Sequence, residues 1–204
     1  MDIEVIIYDC DGVIVDSRKS NEAFFNHVLG TFDLPPLEPE QLELIYSFSG
    51  RAAIDFLISS DSLREEIKTY MKGVDNSPFI SLMSVEPHIK EVVSELRKQH
   101  KIAVATNRGK SVRTILQKYD LDELFDMTVT SLDVTEPKPN PECLLKILDH
   151  FGIPPQKALF IGDGQVDSMA SQGAGIPFLA YKNPSLKAFQ HLNSHLELSA
   201  MLDE

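Results

Sequence analysis

The 204-residue chain is 43% hydrophobic and 25% charged, with 31 acids against 19 lysines and arginines for a net charge of −12. A chain of this size can bury a full core, and its negative field disfavours nucleic acid and anionic membrane as partners, so any anionic substrate must meet locally placed positive charge. No run of about 18 apolar residues suggests a membrane span, the start MDIEVIIYDCDG lacks a basic n-region and cleavage site, and Cys10 and Cys143 form neither a CxxC pair nor a disulfide framework. A reducing cytoplasm is the expected location.

The first predicted strand, Val5-Ile6-Ile7-Tyr8, runs directly into Asp9-Cys10-Asp11-Gly12. Side chains alternate along a strand, so Asp9 and Asp11 can share one direction while Cys10 takes the other and serves as a small core residue. Two acids held together repel, and a divalent cation or a shared proton relieves them.

From about Arg18 to Leu82 strand patterning disappears, and four helices are predicted over roughly 17–30, 39–48, 51–59 and 62–72. Pro35-Pro36 and Asp75-Asn76-Ser77-Pro78 punctuate the interval. This gives an expected helical unit over 17–84, inserted into a core made of 1–16 and 85–204. Asp16-Ser17 and Ser81–Ser84 are its expected hinges, and a unit inserted there sits over the strand ends, where a lid belongs.

Beyond it, predicted strands at 102–106, 127–134, 158–162 and 177–181 alternate with helical apolar spacing, as at Val92, Val93 and Leu96 or Leu144, Leu145, Ile147 and Leu148. Alternation of this kind predicts an α/β fold with a parallel sheet, whose ligands bind beyond the carboxyl ends of the strands. Polar groups gather at those ends: Asp9 and Asp11, Thr106-Asn107-Arg108, Lys138, and Asp163 with Asp167. Carboxylate nucleophile, second acid, hydroxyl donor, lysine and further acids together suggest phosphoryl transfer through an aspartyl phosphate.

DCDGVIVDS resembles the first motif of the haloacid dehalogenase superfamily, VATNRG its second, Lys138 in EPKPNPE its third and IGDGQVD its fourth, in the family's order. The resemblance implies a Rossmann-like core of strand order 5-4-1-2-3, a helical cap and Mg²⁺ as cofactor. It assigns Asp9 as nucleophile and Asp11 as general acid and base. The metal ligands it implies are the Asp9 carboxylate, the Asp11 backbone carbonyl and Asp163, with Asp167 in support. Thr106 and the Asn107 backbone bind phosphate oxygens, and Lys138 offsets charge. Placed in a strand-end loop before Pro139, Lys138 is expected to leave no core cavity when removed.

Within the superfamily, Asp11 argues against haloacid chemistry, and Gly162-Asp163 with Asp167 resembles the phosphoglycolate phosphatase pattern more than the Glu-Asp of β-phosphoglucomutase-like mutases. A mutase remains the alternative. Lys19, Lys68 and Lys72 are the cap lysines available for Schiff-base chemistry, and none stands out. Arg51 in FSGRAAIDFL is the candidate grip on the leaving group. A signalling receiver is disfavoured, because its phosphorylated acid follows the third strand. The expected substrate is a small phosphorylated metabolite.

Overall fold

The computed structural model describes residues 2–202; Met1, Asp203 and Glu204 of the expected core lie outside the described residues. Strand β1 (Val5–Tyr8) is the centre of a parallel sheet, and all four of its residues are fully buried. Its neighbours are β4 (Lys101–Ala105) and β6 (Ala158–Gly162), in registers that pair Ile7 with Ala103 and with Phe160. A strand covered on both faces needs an unbroken apolar run, and VIIY supplies it. Alternate residues feed two cores: Ile6 and Tyr8 join Val104, Leu159 and Ile161 on one face, Val5 and Ile7 join Ala103, Phe160 and Leu144 on the other.

The full order is β5-β4-β1-β6-β7-β8, where β5 is Met127–Val129, β7 Phe178–Tyr181 and β8 Gln190–Leu192. The five strands expected from the sequence stand in the expected order, and β8 adds a sixth at the edge. Only three residues long, with Gln190 and His191 exposed, β8 has no hydrophobic alternation to announce it. The third expected strand stops at Val129 rather than Val134. Thr130 donates its backbone N–H (2.8 Å) and hydroxyl (2.6 Å) to the Asp133 carboxylate, turning the chain away from the ladder.

Helices α6 (Ile89–Leu96), α7 (Ser111–Lys118), α8 (Glu142–Phe151), α9 (Gln165–Ala174) and α10 (His195–Leu202) cover the sheet. The interval after β1 holds α1 (Arg18–Thr31), α2 (Pro39–Ile45), α3 (Gly50–Leu57), α4 (Asp61–Met71) and a short α5 (Ser77–Ile80). Asn76-Ser77-Pro78, expected as punctuation, begins α5, since proline is tolerated in a first helical turn. The helical unit has its own core of Phe25, Val28, Leu29, Ile45, Ile54 and Ile67. It joins the sheet through a two-stranded antiparallel ribbon of β2 (Val15–Asp16) and β3 (Ser84–Val85), pairing Val15 with Val85 and Asp16 with Ser84. The expected hinge segments therefore meet each other in space.

Candidate active site

Parallel strands β1, β4 and β6 all end on one rim, so the polar residues that follow each of them converge there. Asp9 follows β1 and receives a hydrogen bond from the Cys10 N–H (2.7 Å). Cys10 itself is fully buried in the core, and burial pushes its thiol well above the ordinary range, which fits the core role expected of it.

Lys138 reaches the same point from the loop between β5 and α8. Its ammonium lies 2.8 Å from Asp9, 2.7 Å from Asp167 and 2.9 Å from the Ala105 carbonyl. Its side chain is 1% exposed, so Lys138 is a buried residue and not the strand-end loop lysine whose removal would leave no core cavity. The polar string EPKPNPE folds inward here because two carboxylates give the ammonium partners that burial requires. Burial opposes the charge on Lys138, yet Asp167 and Asp9 outweigh it and hold the ammonium above its ordinary pKa.

Asp9, Asp163 and Asp167 each place a carboxylate oxygen within 4.8 Å of the others. Burial, helped by Asp167 and Asp11, raises Asp9 to about 7 despite Lys138; burial, Asp167, Asp9 and Asp11 raise Asp163 to about 8. One lysine is too little positive charge for this cluster, and a hard divalent cation with oxygen ligands fits the donor set. Asp167 has both oxygens engaged, one by Lys138 and the other by the Gly164 N–H at 3.0 Å, so it anchors the cluster. Glycine is required at position 12: its φ is +73°, and a Cβ there would come within 1.9 Å of Asp163 Oδ2. Asn183, past the end of β7, donates to the Asp163 carbonyl at 2.8 Å.

Asp11 turns its carboxylate out of this cluster. Arg108 Nε lies 2.8 and 2.7 Å from its two oxygens, and Arg108 Nη2 donates to Asn21 Oδ1 of α1 at 2.7 Å. Thr106, 2% exposed, accepts from the Arg108 N–H (3.1 Å) and keeps its own hydroxyl proton to give. Asn107 was expected to act through its backbone; its side chain does more. The amide donates to the Lys138 carbonyl (2.9 Å) and the Ser47 carbonyl (3.1 Å) and accepts from the Lys138 N–H (2.9 Å).

Between the helical unit and the rim lies a cleft of about 550 Å³, walled by Asp11, Tyr46, Arg51, Asn107, Arg108 and Leu132 among others. Arg51 is exposed at the start of α3 and has no acidic partner among the described residues. Lys68 is instead paired with Asp55 and Glu65, which raise its pKa, the opposite of what a Schiff-base lysine needs.

Residues 6–181 match the family model of haloacid dehalogenase-like hydrolases. The chain belongs to that family. Pyrophosphatase PpaX of Bacillus cereus is 31% identical over 180 residues, covering 86% of this chain and 81% of the relative. A subfamily IA hydrolase of the superfamily from Geobacter sulfurreducens superposes with TM-score 0.85 at 35% identity, over 98% of this chain and 99% of the other. A β-phosphoglucomutase from Clostridium difficile shares the fold at 18% identity (TM-score 0.84, covering 98% and 96%). In this haloacid dehalogenase-like hydrolase, no sequence pattern marks the role of Arg108, because its partner Asp11 lies 97 residues away. Asn183 carries only the turn signal Asn183-Pro184 in the sequence.

Proposed function

We propose that this hydrolase is a Mg²⁺-dependent phosphatase of small phosphorylated metabolites, working in the cytoplasm through an aspartyl phosphate on Asp9. The observation that carries the reading is the buried Asp9–Lys138–Asp167 ion pair set beside Asp163 at a strand-end rim. Asp9, the Asp11 carbonyl and Asp163 would hold Mg²⁺, which when bound offsets the charge of nucleophile and phosphate. Asp9 Oδ attacks phosphorus and the bond to the leaving oxygen breaks. Asp11 gives that oxygen a proton, and in the second half takes one from the water that releases phosphate from Asp9. Thr106 Oγ1–H and the Asn107 N–H donate to the phosphate oxygens, and Lys138 keeps Asp9 ionised and oriented. The helical unit over 17–84 acts as a lid on its β2–β3 ribbon and excludes water when closed. No helix among the described residues is long and apolar enough to cross a membrane, and the two buried free cysteines suit a reducing compartment.

A second reading, pyrophosphate as substrate, is supported by the 31% identity to pyrophosphatase PpaX and by Arg51, Lys110 and Arg108 on the cleft wall. The mutase alternative finds less support, since Gly162 stands where the acid of Glu-Asp would be and a Cβ there would come within 2.5 Å of Asp167. One experiment tests the proposal: 4-nitrophenyl phosphate, phosphoglycolate, a hexose phosphate and pyrophosphate are offered with Mg²⁺ or with chelator, and the phosphoryl group is trapped on the protein. Metal-dependent turnover with phosphate on Asp9, abolished in Asp9→Asn, is the expected result. Full activity in chelator, or phosphate on another residue, refutes it.

A further inference from the structure

The turn between the two strand-end acids and the hinge ribbon runs through Gly12, Val13 and Ile14. Three backbone bonds close it: Gly12 N–H to the Val15 carbonyl (2.8 Å), and Ile14 and Val15 N–H to the Cys10 carbonyl (2.9 and 3.0 Å). Two of its outward carbonyls are held from outside. Ile14 accepts from the Glu86 N–H at 2.9 Å. Val13 accepts from the imidazole Nε2 of His195 at 2.8 Å, across 182 residues of sequence.

His195 opens α10 and is fully buried. A carbonyl only accepts, so Nε2 must carry the proton and Nδ1 must be bare. Burial lowers the pKa of His195 to about 4, which keeps this neutral tautomer in place; Glu86, Lys182 and His88 are the titratable groups around it. Its ring stacks on Tyr181 (4.4 Å between centroids, 18°), whose hydroxyl donates to Glu86 at 3.0 Å. Glu86 and His195 are thus one assembly gripping consecutive residues of the turn. A further observation points the same way. Tyr8 Oη and His195 Nδ1 are the two buried side-chain polar atoms without a partner among the described residues, and their rings are neighbours, 6.0 Å apart. One is a hydroxyl donor and the other a bare acceptor, and Tyr8 directly precedes Asp9.

We infer that His195 is a positioning residue for the reaction: through Val13 it fixes the turn that carries Asp11, so that the acid meets the leaving oxygen. The fully buried Val13 carbonyl takes its partner from a ring set in a core made mostly of Ile, Val and Leu, and a buried polar contact of this kind fixes a geometry as well as satisfying the backbone. This rests on the reading of Asp11 as general acid. A misplaced acid harms alkoxide leaving groups and spares phenolates that depart without a proton.

His195→Phe keeps a ring against Tyr181 and deletes the donor, whereas His195→Gln keeps an N–H that can reach Val13. With Mg²⁺, His195→Phe should lower kcat for β-glycerophosphate roughly 10- to 100-fold, a part of what a general acid contributes. It should cost 4-nitrophenyl phosphate less than about 3-fold with KM unchanged for both, and His195→Gln should recover most of the loss. Equal losses on both substrates, or none, overturn the inference. Should His195→Phe fail to fold, ¹⁵N NMR of the unaltered protein decides. A neutral Nε2–H tautomer from pH 8 to 5 is expected, and an Nδ1–H tautomer or an imidazolium overturns it. Asp11→Asn is the companion variant. If it shows no split between the two substrates, the general-acid reading falls and takes this inference with it; if it shows the split and His195→Phe does not, only this inference falls.

Discussion

The side-chain amide of Asn107 is clamped to the backbone of Lys138: it accepts from the Lys138 N–H and donates to the Lys138 carbonyl, both at 2.9 Å. A residue two positions past the end of β4 thereby sets the height of the lysine that faces Asp9. Asn107 also donates to the Ser47 carbonyl of the helical unit at 3.1 Å, so the same amide ties that unit to the rim.

Asn107→Ala should therefore leave the backbone N–H of residue 107 in place yet loosen Lys138. The Lys138 backbone groups are buried and lose their partners, at about 1–3 kcal/mol. Turnover of 4-nitrophenyl phosphate should fall by one to two decades, as expected when a charge-stabilising group drifts by an ångström. Asn107→Asp keeps the acceptor alone and should fall between wild type and Asn107→Ala. Steady-state kinetics on the three proteins check the order.

Lys138→Ala should cost stability as well as activity. It leaves Asp9 and Asp167 buried without their shared cation, and breaking a buried pair costs about 3–5 kcal/mol. Mg²⁺ bound beside Asp9 offsets part of that. Urea unfolding should thus show a large loss in chelator and a smaller one in saturating Mg²⁺. An equal loss in both conditions would separate Lys138 from the cation site.

The acid cluster gives the metal-free protein a pH dependence of definite sign. Asp9 and Asp163 are raised to about 7 and about 8, above the roughly 4 of an unfolded carboxyl. Between those values the native state holds more protons than the unfolded one, so stability present at pH 4 is lost as pH rises towards 8. The melting temperature in chelator should fall between pH 5 and 8, with Asp163→Asn flattening the slope. Mg²⁺ must displace the same protons, so its affinity should rise over this window and calorimetry in buffers of differing ionisation heat should detect proton release.

The residues that could be read from sequence are those that break an apolar strand at its carboxyl end. Asp9 after VIIY, Thr106 after KIAVA and Asp163 after ALFIG are conspicuous because a parallel sheet brings all such ends together. The burial of Lys138 was illegible, since a lysine among prolines and acids looks solvated until two carboxylates from other elements surround it. Arg108 and His195 were hidden for the same reason: each acts through a partner far along the chain, Asp11 in one case and Val13 in the other. Strand β8 was lost because an edge strand of three residues carries no periodicity.

Arg51 and Arg108 both wall the cleft, but only one is free to choose substrates. Arg108 is held by Asp11 and Asn21, so its loss disturbs the acid and falls on any leaving oxygen that needs a proton, whatever else that group carries. Arg51 stands exposed on the helical unit with no acidic partner among the described residues, and the closure proposed for that unit would bring it to the leaving group. A substrate whose leaving group carries a carboxylate or second phosphate gains a charge-assisted hydrogen bond from it, about 1.5–3 kcal/mol. Arg51→Ala should accordingly lower kcat/KM for phosphoglycolate and pyrophosphate by roughly one to two decades. For 4-nitrophenyl phosphate, whose leaving group carries no further anion, it should change by less than about 3-fold. Arg108→Ala should depress alkyl phosphates with or without a second anion and largely spare 4-nitrophenyl phosphate. If Arg51→Ala treats the aryl and the doubly anionic substrates alike, the specificity element lies elsewhere on the lid, and Lys110 and Lys72 are the next cations along the cleft wall.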